Sequence, residues 1–259
     1  MAQRVARSAL FAVVRIQPLL AGVAIAVAAL VPLSVAAQDT VPANEADRTS
    51  VLRLDTPEVV PERTRQADFR QEAASPEARE LAHWVIHSAD HRNLPFIVID
   101  KVQARVFAFD AAGLLRGATS ALLGAAVGDD SVPGIGQRKL SSIRPHERTT
   151  PAGRFVAYLD RDIHGEEVLW VDYDTSVSLH RIAAGQPKER RAQRLASPTP
   201  ADNRITYGCI NVAVDFYESV VSPLFQKTQG IVYVLPETRA ARSDFGSYIV
   251  GEQAAAQPR

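Results

Sequence analysis

The sequence predicts a mainly β domain with peripheral helices, on three observations: six short runs rich in β-branched and aromatic residues, loops rich in Gly, Pro and Asp between them, and only two helix-like segments. The domain opens at Ser75-Pro76-Glu77, where an N-cap residue, a proline at N1 and an early acid precede Leu81, Trp84, Val85 and Ile86; this predicts a helix over about 76–91. Strands are expected at Phe96–Asp100, Ala104–Phe109, Arg154–Leu159, Val168–Tyr173, Val177–Ile182 and Ile231–Leu235. The three residues Lys101 to Gln103 between the first two make them a hairpin. Gly128 to Gly136 reads as a loop, and a second helix is expected over Val214–Gln226, bent at Pro223.

Around this domain, 75–250, lie segments of other character. Arg4, Arg7 and Arg15 precede an apolar stretch from Pro18 to Leu33, and Val35-Ala36-Ala37 offers small residues before Gln38, so residues 1–37 read as an export signal or, uncleaved, an anchor. Residues 38–74 are polar, with Pro42, Pro57 and Pro61, and read as a flexible linker; residues 251–259 read as a disordered tail. The whole chain balances 29 basic against 29 acidic residues, and removing residues 1–37 leaves 26 against 29. A nucleic-acid partner is not expected at that balance. Neither G-x-x-x-x-G-K-[ST] nor G-x-G-x-x-G follows a strand, so a phosphate cradle of either kind is not expected. The folded part is expected outside the cytoplasm, in a periplasm or cell envelope.

In that setting the single cysteine, Cys209, is informative, because an oxidising compartment pairs cysteines and this one has no intramolecular partner. It lies in Arg204-Ile205-Thr206-Tyr207-Gly208-Cys209-Ile210-Asn211, between a polar loop and the second predicted helix. A thiol ahead of a helix is expected to ionise more readily, and the N–H groups of Gly208 and Cys209 can face an oxyanion. The alternative is a buried, inert thiol. A nucleophilic thiol needs a base, and His180, at the end of a predicted strand, is the candidate among six histidines.

Other groups carry weaker signals. His83, His87 and His91 share one helical face, yet no glutamate stands in an H-E-x-x-H position, and no metal or other cofactor is expected. Asp160-Arg161-Asp162 and Glu166-Glu167 read as solvated loop charges rather than paired catalytic acids. The run Lys188 to Arg194 lies between His180 and Cys209 and has two readings, a roof over the same site or an exposed helical face.

Three stretches resemble the L,D-transpeptidase (YkuD-type) family of bacterial cell-wall enzymes. The hairpin Ile97-Val98-Ile99-Asp100 with Val106-Phe107-Ala108-Phe109 is similar to the family's opening hairpin; Thr150-Pro151-Ala152-Gly153-Arg154-Phe155 is similar to its T-P-x-G-x-F segment; and Thr206 to Asn211 resembles its [ST]-H-G-C-hydrophobic-[NR] signature. The resemblance implies a β-sandwich with one helix before it and one after the cysteine. It makes Cys209 the nucleophile and His180 the proton donor and acceptor, with Gly208 supplying oxyanion-hole backbone. Thr206 would orient the base, while Asn211, Tyr207 and Arg204 would support the substrate cleft. The implied partners are peptidoglycan stem peptides and, as an alternative acceptor, a wall-attached protein. The implied reaction is transfer of a tetrapeptide stem's acyl group through a Cys209 thioester to an amine, giving 3-3 cross-links; the alternatives are an L,D-carboxypeptidase on the same substrate and an inactive wall-binding protein. Two departures stand out. Tyr207 replaces the signature histidine, and the 28 residues between His180 and Cys209 exceed the family's usual separation, which makes Arg181 to Asn203 an insertion expected to cap the cleft.

Overall fold

The computed structural model describes residues 65–251; residues 1–37, read above as an export signal or anchor, most of the segment read as a linker, and the tail beyond Gly251 lie outside the described residues. Helix α1 spans Pro76–Ser88, with Ser75 Oγ accepting from the Ala78 N–H at 3.1 Å and Ala89 closing it in the left-handed conformation. It ends three residues before the predicted boundary, so His91 leaves the helical face. Nine strands follow: β1 (Phe96–Asp100), β2 (Arg105–Phe109), β3 (Leu115–Gly124), β4 (Gly153–Arg161), β5 (Glu167–Asp172), β6 (Val177–Arg181), β7 (Arg204–Thr206), β8 (Ile210–Val212) and β9 (Gly230–Val234). Helix α2 (Arg191–Leu195) interrupts the connection from β6 to β7. After β8 a helical run consists of α3 (Val214–Phe216), a π-helical turn (Tyr217–Val221) and α4 (Ser222–Phe225), which accommodates Pro223 in its first turn; α5 is Ala241–Phe245.

The strand order β2-β1-β9-β4-β5-β6-β8-β3 closes on itself through the β2–β3 pairing, with β7 attached to the end of β3. Two strands serve both halves. The first part of β4 pairs with β9 and the rest with β5, while β3 pairs first with β2 and then with β8 and β7. The mainly β sandwich expected from the sequence is therefore present, as two sheets sharing strands.

Alternation along β1 sets the layers. Phe96 and Val98 pack toward α1 with Leu81, Trp84, Val85, Phe107, Phe109 and Tyr233, whereas Ile97 and Ile99 enter the inter-sheet core with Leu123, Leu169, Leu179, Ile210, Val212, Tyr217 and Phe225. The first of these clusters also corrects the linker boundary. Ala67 and Phe69, placed in the linker, are buried; Phe69 meets Phe107 and Phe109 edge-on, and Asp68 bridges Leu114. A single phenylalanine anchors a polar segment that composition reads as unstructured. Among the described residues, no helix is long and apolar enough to cross a membrane.

One pairing positions the site. β6 and β8 run parallel with Leu179 opposite Ile210 and His180 opposite Asn211. Leu179 and Ile210 point into the core, so Ser178, His180 and Asn211 take the outer face, with Cys209 at the entry to β8. The thiol therefore precedes a strand rather than a helix, and the expected help from a helix N-terminus is replaced by side-chain partners.

Candidate active site

Cys209 is partly exposed, and its Sγ contacts the Ser176 carbonyl at 3.6 Å and the Ser178 hydroxyl at 3.7 Å. The His180 Nδ1 lies 2.8 Å from the Arg181 carbonyl, an acceptor only, so Nδ1 carries the ring proton and Nε2 is the basic nitrogen. Nε2 faces Asn211 Nδ2 at 2.9 Å. Burial, the largest single influence on both, disfavours a charged form of either partner, yet their other contacts together outweigh it. Contact with His180, with help from Ser178, holds the Cys209 thiol below the ordinary thiol value. For His180, burial is outweighed by Cys209 and the Arg181 carbonyl, and the imidazole is raised even though Arg191 pulls it down. The Arg181 side chain is itself tied down, over the Tyr217 ring at 4.1 Å and donating to Glu218 and to the Glu167 carbonyl, so the carbonyl that orients the base sits on a fixed residue.

The turn carrying the thiol is held by hydroxyls. Thr206 Oγ1 donates to the Cys209 carbonyl at 2.7 Å and accepts from the Gly208 N–H at 3.1 Å. Thr206 therefore braces the turn and does not orient the base; Asn211 is the residue that meets His180. The Gly208 N–H, expected as an oxyanion donor, is already committed to Thr206, whereas no hydrogen bond to the Cys209 N–H is found among the described residues. Gly208 is needed for shape. Its φ is +137°, and a Cβ there would lie 2.7 Å from the Thr149 carbonyl oxygen.

Thr150, in the Thr150-to-Phe155 stretch, has a role that its sequence context does not suggest. It is fully buried, and its Oγ1 donates to the Gly208 carbonyl at 2.8 Å while accepting from the Gly124 N–H at 2.9 Å. Its own carbonyl accepts from Lys101 Nζ at 2.9 Å, and Nζ also reaches the Gly128 carbonyl at 2.6 Å and Asp129 at 2.7 Å. Arg204 belongs to this buried network, donating to the Lys101 carbonyl and to Glu237, and so leaves the substrate-facing surface where it was expected. Tyr207 lies under the Arg148 guanidinium at 4.0 Å, a cation–π contact that a histidine would make less well.

The insertion reaches the site through one side chain. Arg191 Nη1 donates to Asn211 Oδ1 at 3.0 Å, and its Nε pairs with Glu189 at 2.7 Å. Arg194 stays within the insertion, on the Glu189 and Asp202 carbonyls, so of the basic run Arg191 roofs the site. On the other side, Tyr158 pairs with Trp170 and Trp170 with Ser178 across β4, β5 and β6, which continues the outer face as an aromatic row. A cavity of about 570 Å³ lined by Leu81, Asp100, Arg239 and Tyr248 lies apart from these residues. Of the three histidines that share a helical face in the sequence, His87 Nδ1 meets the Tyr248 hydroxyl at 2.8 Å, and both His91 nitrogens face carbonyls at 3.1 Å. Asp162 caps its own β4–β5 turn, as solvated loop charge does.

No protein-family model and no curated relative matches the chain. Similar solved structures include the L,D-transpeptidase (residues 123–326) from Xylanimonas cellulosilytica DSM 15894, at 13% identity and a TM-score of 0.35, covering 54% of this chain and 60% of that one. Another is the catalytic domain of the E. faecium L,D-transpeptidase, at 18% identity and a TM-score of 0.30, covering 54% of this chain and 95% of that one.

Proposed function

We propose that this chain is an exported L,D-transpeptidase that makes 3-3 cross-links in peptidoglycan of the periplasm or cell envelope. The observation that carries the reading is a partly exposed thiol at the entry to β8 and an imidazole on the outer face of the paired strand β6, the imidazole oriented by a backbone carbonyl. The Thr206-to-Asn211 signature and the export-type N-terminus supply the substrate class and the compartment.

In the proposed reaction His180 Nε2 takes the Cys209 proton as Sγ attacks the carbonyl of the third residue of a tetrapeptide stem. The Cys209 N–H is the donor placed for the developing oxyanion. Collapse of the tetrahedral adduct breaks the bond to the terminal D-alanine, whose amine leaves with the proton from Nε2. The amine of a second stem then attacks the thioester, gives its proton to Nε2, and releases Cys209 with a new amide formed. A lysine of a wall-attached protein as acceptor gives protein anchoring, and water gives a carboxypeptidase. The placement of His180 beside Cys209 disfavours an inactive wall-binding protein. The aromatic row beyond Ser178 gives an extended substrate a surface to lie on.

Incubation of the purified chain with tetrapeptide muropeptides tests the reading. Dimers linked 3-3 are expected, with a covalent adduct on Cys209 when a carbapenem is supplied; Cys209→Ala abolishes both. Tripeptide alone would replace transfer by hydrolysis. An unmodified intact mass together with unchanged muropeptides would overturn the acyl-enzyme itself.

A further inference from the structure

The residue that governs Asn211 comes from outside the cysteine signature. Arg191 stands at the start of α2, its side chain 15% exposed, and its guanidinium is fixed on Glu189 at 2.7 Å and on Asn211 Oδ1 at 3.0 Å. A guanidinium has only protons to present. The Asn211 atom facing it is therefore the carbonyl oxygen, and the atom facing His180 Nε2 at 2.9 Å is the amide nitrogen. At the far side of the ring, the Arg181 carbonyl likewise has no proton to give, so Nδ1 donates to it. Every donor along Arg191, Asn211, His180 and the Arg181 carbonyl points the same way. The chain leaves one proton for the gap between Asn211 and Nε2, and that proton belongs to Asn211. Protonating Nε2 sets two N–H groups head to head, unless the amide turns over, which then sets its N–H against Arg191.

The charged groups around His180 divide along the same line. Cys209 draws the ring toward the imidazolium, and Arg191 opposes it. Glu189 is spent on Arg191, and the Arg181 guanidinium is turned to Glu218 and Glu167.

We propose that Arg191 is a positioning residue which, through Asn211, caps Nε2 of the resting His180 and opposes its protonation, so that more of Cys209 rests as the thiol until substrate arrives. Thiolates are the form that oxidants attack, and an exported lone cysteine has no partner to protect it, so a resting thiol preserves the nucleophile. The inference rests on the reading of Cys209 and His180 as nucleophile and base, but its test does not need the transpeptidase reaction.

The rate of Cys209 alkylation by iodoacetamide, followed against pH on the purified chain, reads the thiolate. Arg191→Met is expected to move the profile down by about one pH unit, about a tenfold faster reaction on its acid limb. Asn211→Leu should move it in the same direction, the double variant by less than the sum of the two, and Arg191→Lys should restore most of the parent profile, because an ammonium also presents only protons. Imidazole ¹⁵N shifts should report the neutral Nδ1–H ring persisting to lower pH in the parent than in Arg191→Met. A folded Arg191→Met or Asn211→Leu protein whose profile superimposes on the parent's overturns the assignment, as does a double variant whose shifts add. If the profiles move as stated while muropeptides stay unmodified, the transpeptidase reading falls and Arg191 keeps its role. If muropeptides are cross-linked while the profiles superimpose, the Arg191 assignment alone falls.

Discussion

Replacing Thr150 by Val removes one hydroxyl and almost no volume, and the structure says what that hydroxyl holds. It joins the Gly124 N–H to the Gly208 carbonyl at 2.9 and 2.8 Å inside a fully buried site, so the variant leaves one donor and one acceptor without partners. Each such group costs about 1–3 kcal/mol, which places the loss at about 2–6 kcal/mol. For a domain of this size each kcal/mol lowers Tm by about 2–4 °C, so a fall of roughly 4–24 °C is expected by scanning calorimetry. Thr150→Ser keeps both hydrogen bonds and loses one buried methyl, worth about 1 kcal/mol. Cys209 follows Gly208 directly, so Thr150→Val should also slow acylation by a carbapenem more than Thr150→Ser does. A Thr150→Val protein that melts and acylates like the parent would refute the claim that this hydroxyl braces the cysteine turn.

Three further outcomes follow from the same contacts. Lys101→Met strips the buried Asp129 of its nearest cation and three carbonyl or carboxylate oxygens of a donor, and should cost about 3–5 kcal/mol in urea unfolding. Burial alone would raise the Asp129 carboxyl, but Lys101, Thr238 and the Glu237 and Thr238 N–H groups hold it well below the ordinary value; its contribution to stability is therefore complete above about pH 5 and lost as pH falls below about 4 toward the folded value, a decline that Asp129→Asn should flatten in acid titrations followed by circular dichroism. Gly208→Ala puts a methyl 2.7 Å from the Thr149 oxygen at a φ of +137°, and a loss of about 1–3 kcal/mol in thermal stability is expected, with slower Cys209 alkylation.

The strands that were legible are those whose side chains are large. β1, β2, β4, β5, β6 and β9 are Val-, Ile- and Phe-bearing runs, and their predicted bounds differ from the observed ones by two residues at most. The longest strand, β3, was missed because Leu115-Arg116-Gly117-Ala118-Thr119-Ser120-Ala121 is dominated by small residues. Packing is the reason for that composition: a Cβ on Gly117 would come within 3.0 Å of Val220 and 3.1 Å of Phe216, so the helical run lies against a strand made thin to receive it. β7 and β8 are three residues each, too short for a pattern, and without them the cysteine seems to precede a helix. Cys209 and His180 stand out in the sequence because each is chemically distinctive, and the fold sets His180 on the strand paired with the one that Cys209 precedes. Arg204 misled because proximity in sequence says nothing of facing, and Arg191 was hidden in a basic run whose two readings only the fold distinguishes.

The parallel ladder between β6 and β8 has an evolutionary consequence. Parallel neighbours cannot be joined by a tight turn, so some long crossover between the histidine and the cysteine is obligatory, whatever its sequence. Lengthening such a crossover is cheap, about 0.6 kcal/mol for each doubling, while the register of His180 against Asn211 is fixed by backbone pairing. Residues 182–203 can therefore change in length and sequence, gaining or losing side chains that lean over the thiol, while the ladder keeps His180 opposite Asn211.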